Sequence, residues 1–423
     1  MHLRSKRSRL PITIMGCLTA ITAIAANAKA EEVEAAPTAT SAAPPASQPP
    51  APVTSTPPAP GAVMPLPPTA PLAAVTVPPP SVATPEVPLQ RAPANINTVF
   101  GLRLAGRLQG ASNPSKLNDI GYDTTYLEAR FSGTLDKYFG WQANFNADLA
   151  GTNEVGPTGT ASVMDLILKF EPIDEFRVWA GRLLVPSDRS NFSGPFFMSP
   201  WNYPGVFGGT FIGPKTGPTG RDEGAVIWGN ILAGKGKYFL GAFNLQNRSE
   251  SPLYSGRINI AILGTEPGFW GSSTYYGAKD IVAVGGAFQY QKNGSGNGTT
   301  VPTANLNTAI ADLLAEKNLP SAGTASLEAA YYHFDSSAPV KQDFYILASF
   351  LTADYVGVGK LQPLVRWQQT SPQSGGTKWT ILDACVSYVI HDYDLKVTAG
   401  YQRTDLGGPK AANAIQLALQ MQE

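Results

Sequence analysis

The chain has 423 residues, with 31 Lys plus Arg balanced by 31 Asp plus Glu and a formal net charge of zero. That balance leaves no basic footprint for nucleic acid. With 42 glycines and 37 prolines but only 15% charged residues, the composition favours turns and short extended elements over long helices, and its charge content is low for a soluble protein.

The first 30 residues read as a secretory signal. MHLRSKRSR supplies Arg4, Lys6, Arg7 and Arg9, an apolar segment runs from Leu10 to Ala26, and A-K-A closes it at Ala30. Lipoprotein cleavage before Cys17 is opposed by the apolar run continuing past that cysteine, and a membrane anchor by the shortness of the run. Removal at Ala30 leaves Cys385 alone, so no internal disulfide is expected. Residues 31–95 hold 19 prolines and no aromatic residue. Such a segment cannot bury a core and is expected to be a disordered, semi-rigid polyproline-type linker in the periplasm. It is either a passive spacer or a tether that contacts peptidoglycan.

From Asn95 onward the pattern becomes one of strands of about ten residues. In FGLRLAGRLQ, Phe100, Leu102, Leu104 and Leu108 alternate with Arg103, Arg107 and Gln109. In YLEARFSGTL, Leu127, Ala129 and Phe131 alternate with Glu128, Arg130 and Ser132; in WQANFNADLA, Trp141, Phe145 and Leu149 alternate with Gln142, Asn144, Asn146 and Asp148. RINIAIL, DLKVTAGYQR and AIQLALQMQE repeat the scheme. Fifteen such strands start near residues 98, 122, 141, 161, 175, 223, 237, 256, 280, 324, 342, 361, 378, 393 and 412. No run approaches 18 apolar residues, which excludes helical spans. An exported chain of many dyad strands predicts an all-β fold, a transmembrane antiparallel barrel over 96–423 in the bacterial outer membrane, with lipid as its outer partner. A secreted sandwich is the competing reading.

Connection lengths support the barrel. DKYFG (136–140), EPIDE (171–175), AGKGK (233–237) and IHDYD (390–394) are short, and long stretches lie between them, as periplasmic turns and outer loops should. With both ends of the barrel in the periplasm the strand number must be even, which predicts sixteen. The favoured extra strand is FWGSSTYYG (269–277). The alternative lies in the insert 291–323, where NLNTAIADLLAEKNL reads as a short helix, and the choice decides which side that insert faces.

Sixteen strands enclose an aqueous channel unless something fills it. The longest connection, 185–222, is the candidate constriction loop. Its Phe196, Phe197, Trp201, Tyr203, Phe207 and Phe211 would be sheltered by folding inward, with a lid on the outer rim as the competing arrangement. Arg189, Lys215 and Arg221 are its candidate constriction residues. Arg103, Arg107, Arg130, Arg257 and Arg366 fall in lumen phase on the strands, as does Lys396, and are the candidate pore lining. Inward cations in a confined pore concentrate anions. The barrel segment nevertheless carries 25 basic and 27 acidic residues, which argues against strong selection.

Several segments together resemble a known family. YLEARFSGTLDKYFGWQANFNADLA, FRVWAGRLLVP, RDEGAVIWG, YYGAKDIVAVGGAFQYQ and LQPLVRWQQ are similar to the phosphate-selective porin O and P family of bacterial outer membranes. The resemblance covers most of 96–423 and implies a sixteen-stranded diffusion channel, often trimeric, with arginines along the pore. By position Arg182 and Pro186 match the segment before the constriction loop, and Arg221 and Asp222 the strand start after it. The chain departs from the family in lacking a loop lysine cluster, so phosphate selectivity is not carried over, and in ending without a terminal aromatic.

Other chemistry finds little support. GSGNGTT (294–300) lacks the lysine of a phosphate loop, and His333 and His391 are outside metal-ligand spacing, so no cofactor, metal or enzymatic activity is expected. The function expected is passive diffusion of small hydrophilic solutes or ions, with an anion preference left open. The alternative is a structural barrel with a closed pore that anchors a proline-rich cell-wall tether.

Overall fold

Dyad alternation from Ile96 onward closes on itself. In a computed structural model, which describes residues 96–110, 120–148, 160–204, 220–245, 251–295, 304–334, 340–373, 376–408 and 411–423, sixteen strands form one closed antiparallel barrel in which each pairs with its sequence neighbours and the first with the last. In chain order they are β1 (Ile96–Gly110), β2 (Ile120–Thr134), β3 (Phe139–Asp148), β4 (Thr160–Ile173), β5 (Phe176–Leu184), β6 (Arg221–Ile231), β7 (Gly236–Phe243) and β8 (Leu253–Leu263). The second half comprises β9 (Ile281–Ser295), β10 (Ala304–Leu319), β11 (Gly323–Phe334), β12 (Val340–Thr352), β13 (Lys360–Pro372), β14 (Trp379–His391), β15 (Leu395–Asp405) and β16 (Ala412–Gln422). One short helix, α1 (Arg189–Ser193), sits in the connection from β5 to β6. The expected signal peptide (1–30) and linker (31–95) lie outside the described residues, as do Lys215 and the side chains of Arg107 and Asp148.

The two faces of each strand meet different solvents. On β8, Tyr254, Ile258, Ile260 and Ile262 are exposed on the outside, whereas Ser255, Arg257 and Asn259 are buried inside. On β3, Phe145 is 44% exposed and Asn144 3%. An outward band of this kind, with Leu240, Val365 and Leu417 more than half exposed, is stable only against lipid, and closure pairs every strand edge within it. Connections of two to seven residues at 135–138, 174–175, 232–235, 320–322, 353–359 and 392–394 mark one end of the barrel, the end that outer-membrane barrels turn to the periplasm.

The sixteenth strand is β10, within the insert 291–323, and not the favoured 269–277. NLNTAIADLLAEKNL is therefore a strand where the sequence reads as a helix. The reason lies in what β10 faces. Its inward side carries Leu306, Ile310 and Leu314 beside Thr308, Asp312 and Glu316, all buried. Its outward side carries Ala309, Ala311 and Ala315 with Leu313, and Asn305, Asn307 and Lys317 toward the ends, so the usual contrast between faces is lost. Segment 269–277 belongs to a 17-residue connection from β8 to β9, 264–280, the one long link at the turn end. Its placement puts the 296–303 connection at the loop end.

Candidate functional site

Two loops enter the lumen from opposite ends. The described part of the β5–β6 connection, 185–204, leaves the loop end and reaches almost to the turn end: the carbonyls of Phe196 and Met198 accept from Gln420 Nε2 at 2.9 Å and Lys396 Nζ at 2.7 Å, side chains near the turn end of β16 and β15. On the way it is pinned around the wall. Pro186 O accepts from Ser255 Oγ (2.5 Å) and Gln289 Nε2 (3.0 Å), and Ser187 O from Arg257 Nη1 (2.6 Å). Asp188 caps α1, its Oδ2 accepting from the amides of Ser190 (2.9 Å) and Asn191 (3.3 Å). Further on, Trp201 O accepts from Arg103, whose guanidinium lies 4.1 Å from the Trp201 ring, and Asn202 takes both Nη of Arg366. The described residues 185–204 run inward and bury Phe192, Phe196, Met198 and Trp201, while Phe207 and Phe211 lie outside the described residues. Gly101 makes room for Phe196: a Cβ there would stand 2.4 Å from its ring.

The 264–280 loop rises from the turn end to meet it. Gly271 N donates to Phe192 O (3.2 Å) and Ser273 N to Phe197 O (3.1 Å), joining the two loops by backbone hydrogen bonds. Phe192 of one loop and Phe269 of the other complete an apolar core inside the barrel with Trp179, Trp228, Phe239 and Phe243. Burying each of those two rings contributes about 1.5–3 kcal/mol. The far half of the loop is moored by Glu316, which accepts from the amides of Tyr275 (3.0 Å) and Gly277 (3.0 Å) and from Thr274 Oγ1 (2.7 Å). Ser273 donates to Glu328. Tyr393, in the last turn, shares a hydrogen bond with Ser272 Oγ at 2.8 Å and packs on Phe197.

One ion pair ties the loops directly. Arg189 of α1 donates Nη1 and Nη2 to Glu266 at 2.6 and 2.9 Å, with Lys237 Nζ 3.8 Å away. Burial alone would raise the Glu266 carboxyl, but Arg189 and Lys237 hold it well below the usual carboxylate range. Asp188 goes the other way. Its burial, and next the Asp312 carboxylate, push it up to about 7 against the pull of Tyr332 and Arg257.

Between the loops and β2–β4 a cleft of about 210 Å³ remains, lined on the wall by Arg130, Gln142 and Asn144 and on the loop side by Phe197 and Trp270.

No family model matches the chain, and no curated protein matches it in sequence. Solved structures do match. OmpF of Salmonella typhi, in complex with daunomycin, superposes with a TM-score of 0.55 at 12% identity, covering 78% of this chain and 97% of that one. OprB of Pseudomonas putida gives 0.55 at 10% identity, with 78% and 94% covered. An anion-selective porin from Comamonas acidovorans gives 0.50 at 12%, with 78% and 100% covered. The fold is that of bacterial outer-membrane porins.

Within this porin barrel the basic residues named from phase, Arg107 apart, point inward but are held by partners. Arg189 and Arg221 are buried, Arg221 against Asp165 at 3.1 Å. Arg257 pairs with Asp312 through both Nη (2.5 and 3.0 Å), and Arg366 with Asp383 (3.0 Å). Arg103 is buried under Trp201. Arg130 retains 22% of its side-chain exposure, its Nε 3.3 Å from Glu128 and its Nη2 donated to Gln422 (2.6 Å). For Arg107 only the backbone is described, in β1 opposite Gln416. Arg130, Arg221, Gln142 and Asn144 meet at the cleft; Arg189, Arg257 and Arg366 serve to moor the long loop. Glu266 and Trp270 went unnoticed in the sequence. The clue available there was compositional: 264–280 mixes Glu266, three serines and threonines in a row and several aromatics, which fits neither a lipid-facing strand nor a free turn.

Proposed function

We propose that the protein is a passive outer-membrane porin through which small hydrophilic solutes and ions diffuse by way of the cleft between the two loops and β2–β4. The observation that carries this reading is a closed sixteen-stranded barrel narrowed by an inward loop, with a cleft left between that loop and the strand side chains of Arg130, Gln142 and Asn144. A mild anion preference follows from Arg130, which is partly exposed at the cleft while Glu128 and Asp165 are buried. Phosphate selectivity is not part of the proposal, although Arg182–Pro186 and Arg221–Asp222 keep the motif order of the phosphate-selective porin O and P family. Trimeric assembly and a peptidoglycan contact through 31–95 complete the reading, and no enzymatic step is assigned.

A second reading is a closed structural barrel anchoring the 31–95 tether to the cell wall, favoured by how firmly the two loops interlock. Conductance in planar bilayers separates them. The porin reading expects unitary currents from folded protein and a reversal potential in a salt gradient that moves toward neutrality in Arg130→Gln; silence from folded protein refutes it.

A further inference from the structure

The cleft has two unlike walls, and one of them is assembled from both loops. On the strand side stand Arg130 with its almost fully buried partner Glu128, and two carboxamides, Gln142 and Asn144. On the loop side stand aromatic rings, Phe197 from the 185–220 loop and Trp270 from the 264–280 loop, both half-buried. The Arg130 guanidinium carbon lies 5.6 Å from the Phe197 ring centroid and 5.5 Å from that of Phe196. The other basic side chain at the cleft, Arg221, lies 5.8 Å from the Trp270 ring and is tied to Asp165.

A passing solute therefore meets one partly exposed cation beside flat apolar faces. A compact inorganic oxyanion would want several converging donors, and the aromatic wall offers it only desolvation. A neutral polyol could use the carboxamides but leaves the cation unused. A small carboxylate carried on a flat apolar ring uses both walls at once, its charge on Arg130 through a charge-assisted hydrogen bond and its ring offset-stacked on Phe197 and Trp270.

We propose that the cleft is selective for small organic anions with a flat apolar body, ring monocarboxylates being the simplest, and that Trp270, delivered by the turn-end loop, is a specificity-determining residue. The proposal deepens the porin reading and rests on it for transport, though the binding site stands without it. Glu266 is a positioning residue here: by holding Arg189 it keeps the first half of the 264–280 loop, and so the indole, inside the barrel.

The test uses the full chain, folded in detergent and reconstituted in planar bilayers in potassium chloride, with sodium benzoate, sodium acetate, sodium phosphate or glucose added singly. Benzoate is expected to interrupt the chloride current at a concentration about tenfold below that needed for acetate, with phosphate and glucose weaker still. Trp270→Ala should raise conductance and weaken the benzoate effect about 3- to 10-fold, with Trp270→Phe recovering most of it. Arg130→Gln should abolish the advantage of benzoate over benzyl alcohol. Equilibrium binding of benzoate to the same folded variants is measured in parallel. A folded barrel that binds benzoate but passes no current overturns the porin reading and keeps the site. A conducting channel in which benzoate is no better than acetate, or in which phosphate or glucose blocks more strongly, overturns the proposal, as does a folded Trp270→Ala that treats benzoate like the parent.

Discussion

Glu266→Gln probes the interlock of the two loops. The carboxylate takes both Nη of Arg189 and lies 3.8 Å from Lys237, all three side chains being almost fully buried. Glutamine keeps the volume and one acceptor but leaves two buried cations facing Asp312, 4.0 Å from Arg189 Nε and already committed to Arg257. Removing one partner of a buried pair costs about 3–5 kcal/mol, a factor of roughly a hundred to several thousand in the population of the locked arrangement. The strand ladders do not depend on Glu266, so the cost falls on docking of the loop. Residues 266–271 should leave the lumen intermittently, while Glu316 retains 274–277. Single-channel records of the variant should show added flicker and a larger mean conductance, with the barrel still folded by its heat-dependent shift on a denaturing gel. Exchanging all three for Arg189→Met, Lys237→Met and Glu266→Leu should quiet the channel again, since apolar replacement of a buried ionic cluster is often neutral. Because Arg189 and Lys237 hold the Glu266 carboxyl low, its contribution is complete above the ordinary carboxylate range and is lost only as pH falls well below it. Parent currents should thus stay quiet down to pH 5. If Glu266→Gln has the conductance and noise of the parent, the ion pair does not hold the loop and the reasoning fails.

Three further outcomes follow from the same geometry. Asp188, raised to about 7, keeps a proton that the unfolded chain loses near pH 4, so its share of stability falls as pH rises from about 4 to 7 and then levels; Asp188→Asn, which still caps α1, should flatten that slope and gain about 2–4 kcal/mol at pH 8 in thermal unfolding, and an unchanged slope would count against the burial argument. Val365→Arg, on an outward site 51% exposed in the middle of β13, should cost about 2–4 kcal/mol in folding into vesicles; a neutral result would mean that this face does not meet lipid. Gly285→Val should cost about 1–3 kcal/mol by overpacking, since a Cβ there would stand 2.4 Å from Arg257 Nη2 and 2.5 Å from Asp312 Oδ1, whereas Gly286→Ala on the other face should stay within about 0.5 kcal/mol.

Strand positions were legible wherever the wall separates lipid from polar lumen. RINIAIL needed no context, because Ile258, Ile260 and Ile262 meet lipid while Arg257 and Asn259 meet the loops. The reading failed at β10 for a physical reason. Leu306 packs into the core that Phe192 and Phe269 complete, and Leu314 packs beside Tyr275, so the inward face there mixes leucines with polar residues because loops cover it, while the outward face meets lipid with Leu313 and three alanines. The misassigned 269–277 is the other side of the same contact: its hydroxyls and amides satisfy Glu316 and Glu328 on the wall. A sequence read strand by strand carries no sign of such contacts, since Arg189 and Glu266 are 77 positions apart.

The same pairing bears on selectivity. Counting inward arginines suggests a cationic pore, yet Arg189, Arg221, Arg257 and Arg366 each have a carboxylate within 3.1 Å. A buried charge paired with a carboxylate contributes little net field, whether it lies away from the cleft or, like Arg221, at its edge. What a solute meets is set instead by residual exposure, and among the cleft's described cations Arg130 retains 22% where Arg221 retains 3%. The near balance of 25 basic and 27 acidic residues in the barrel segment is in keeping with cations spent on mooring a loop, and on the reading proposed above ion preference rests on Arg130 and solute shape on the rings opposite it.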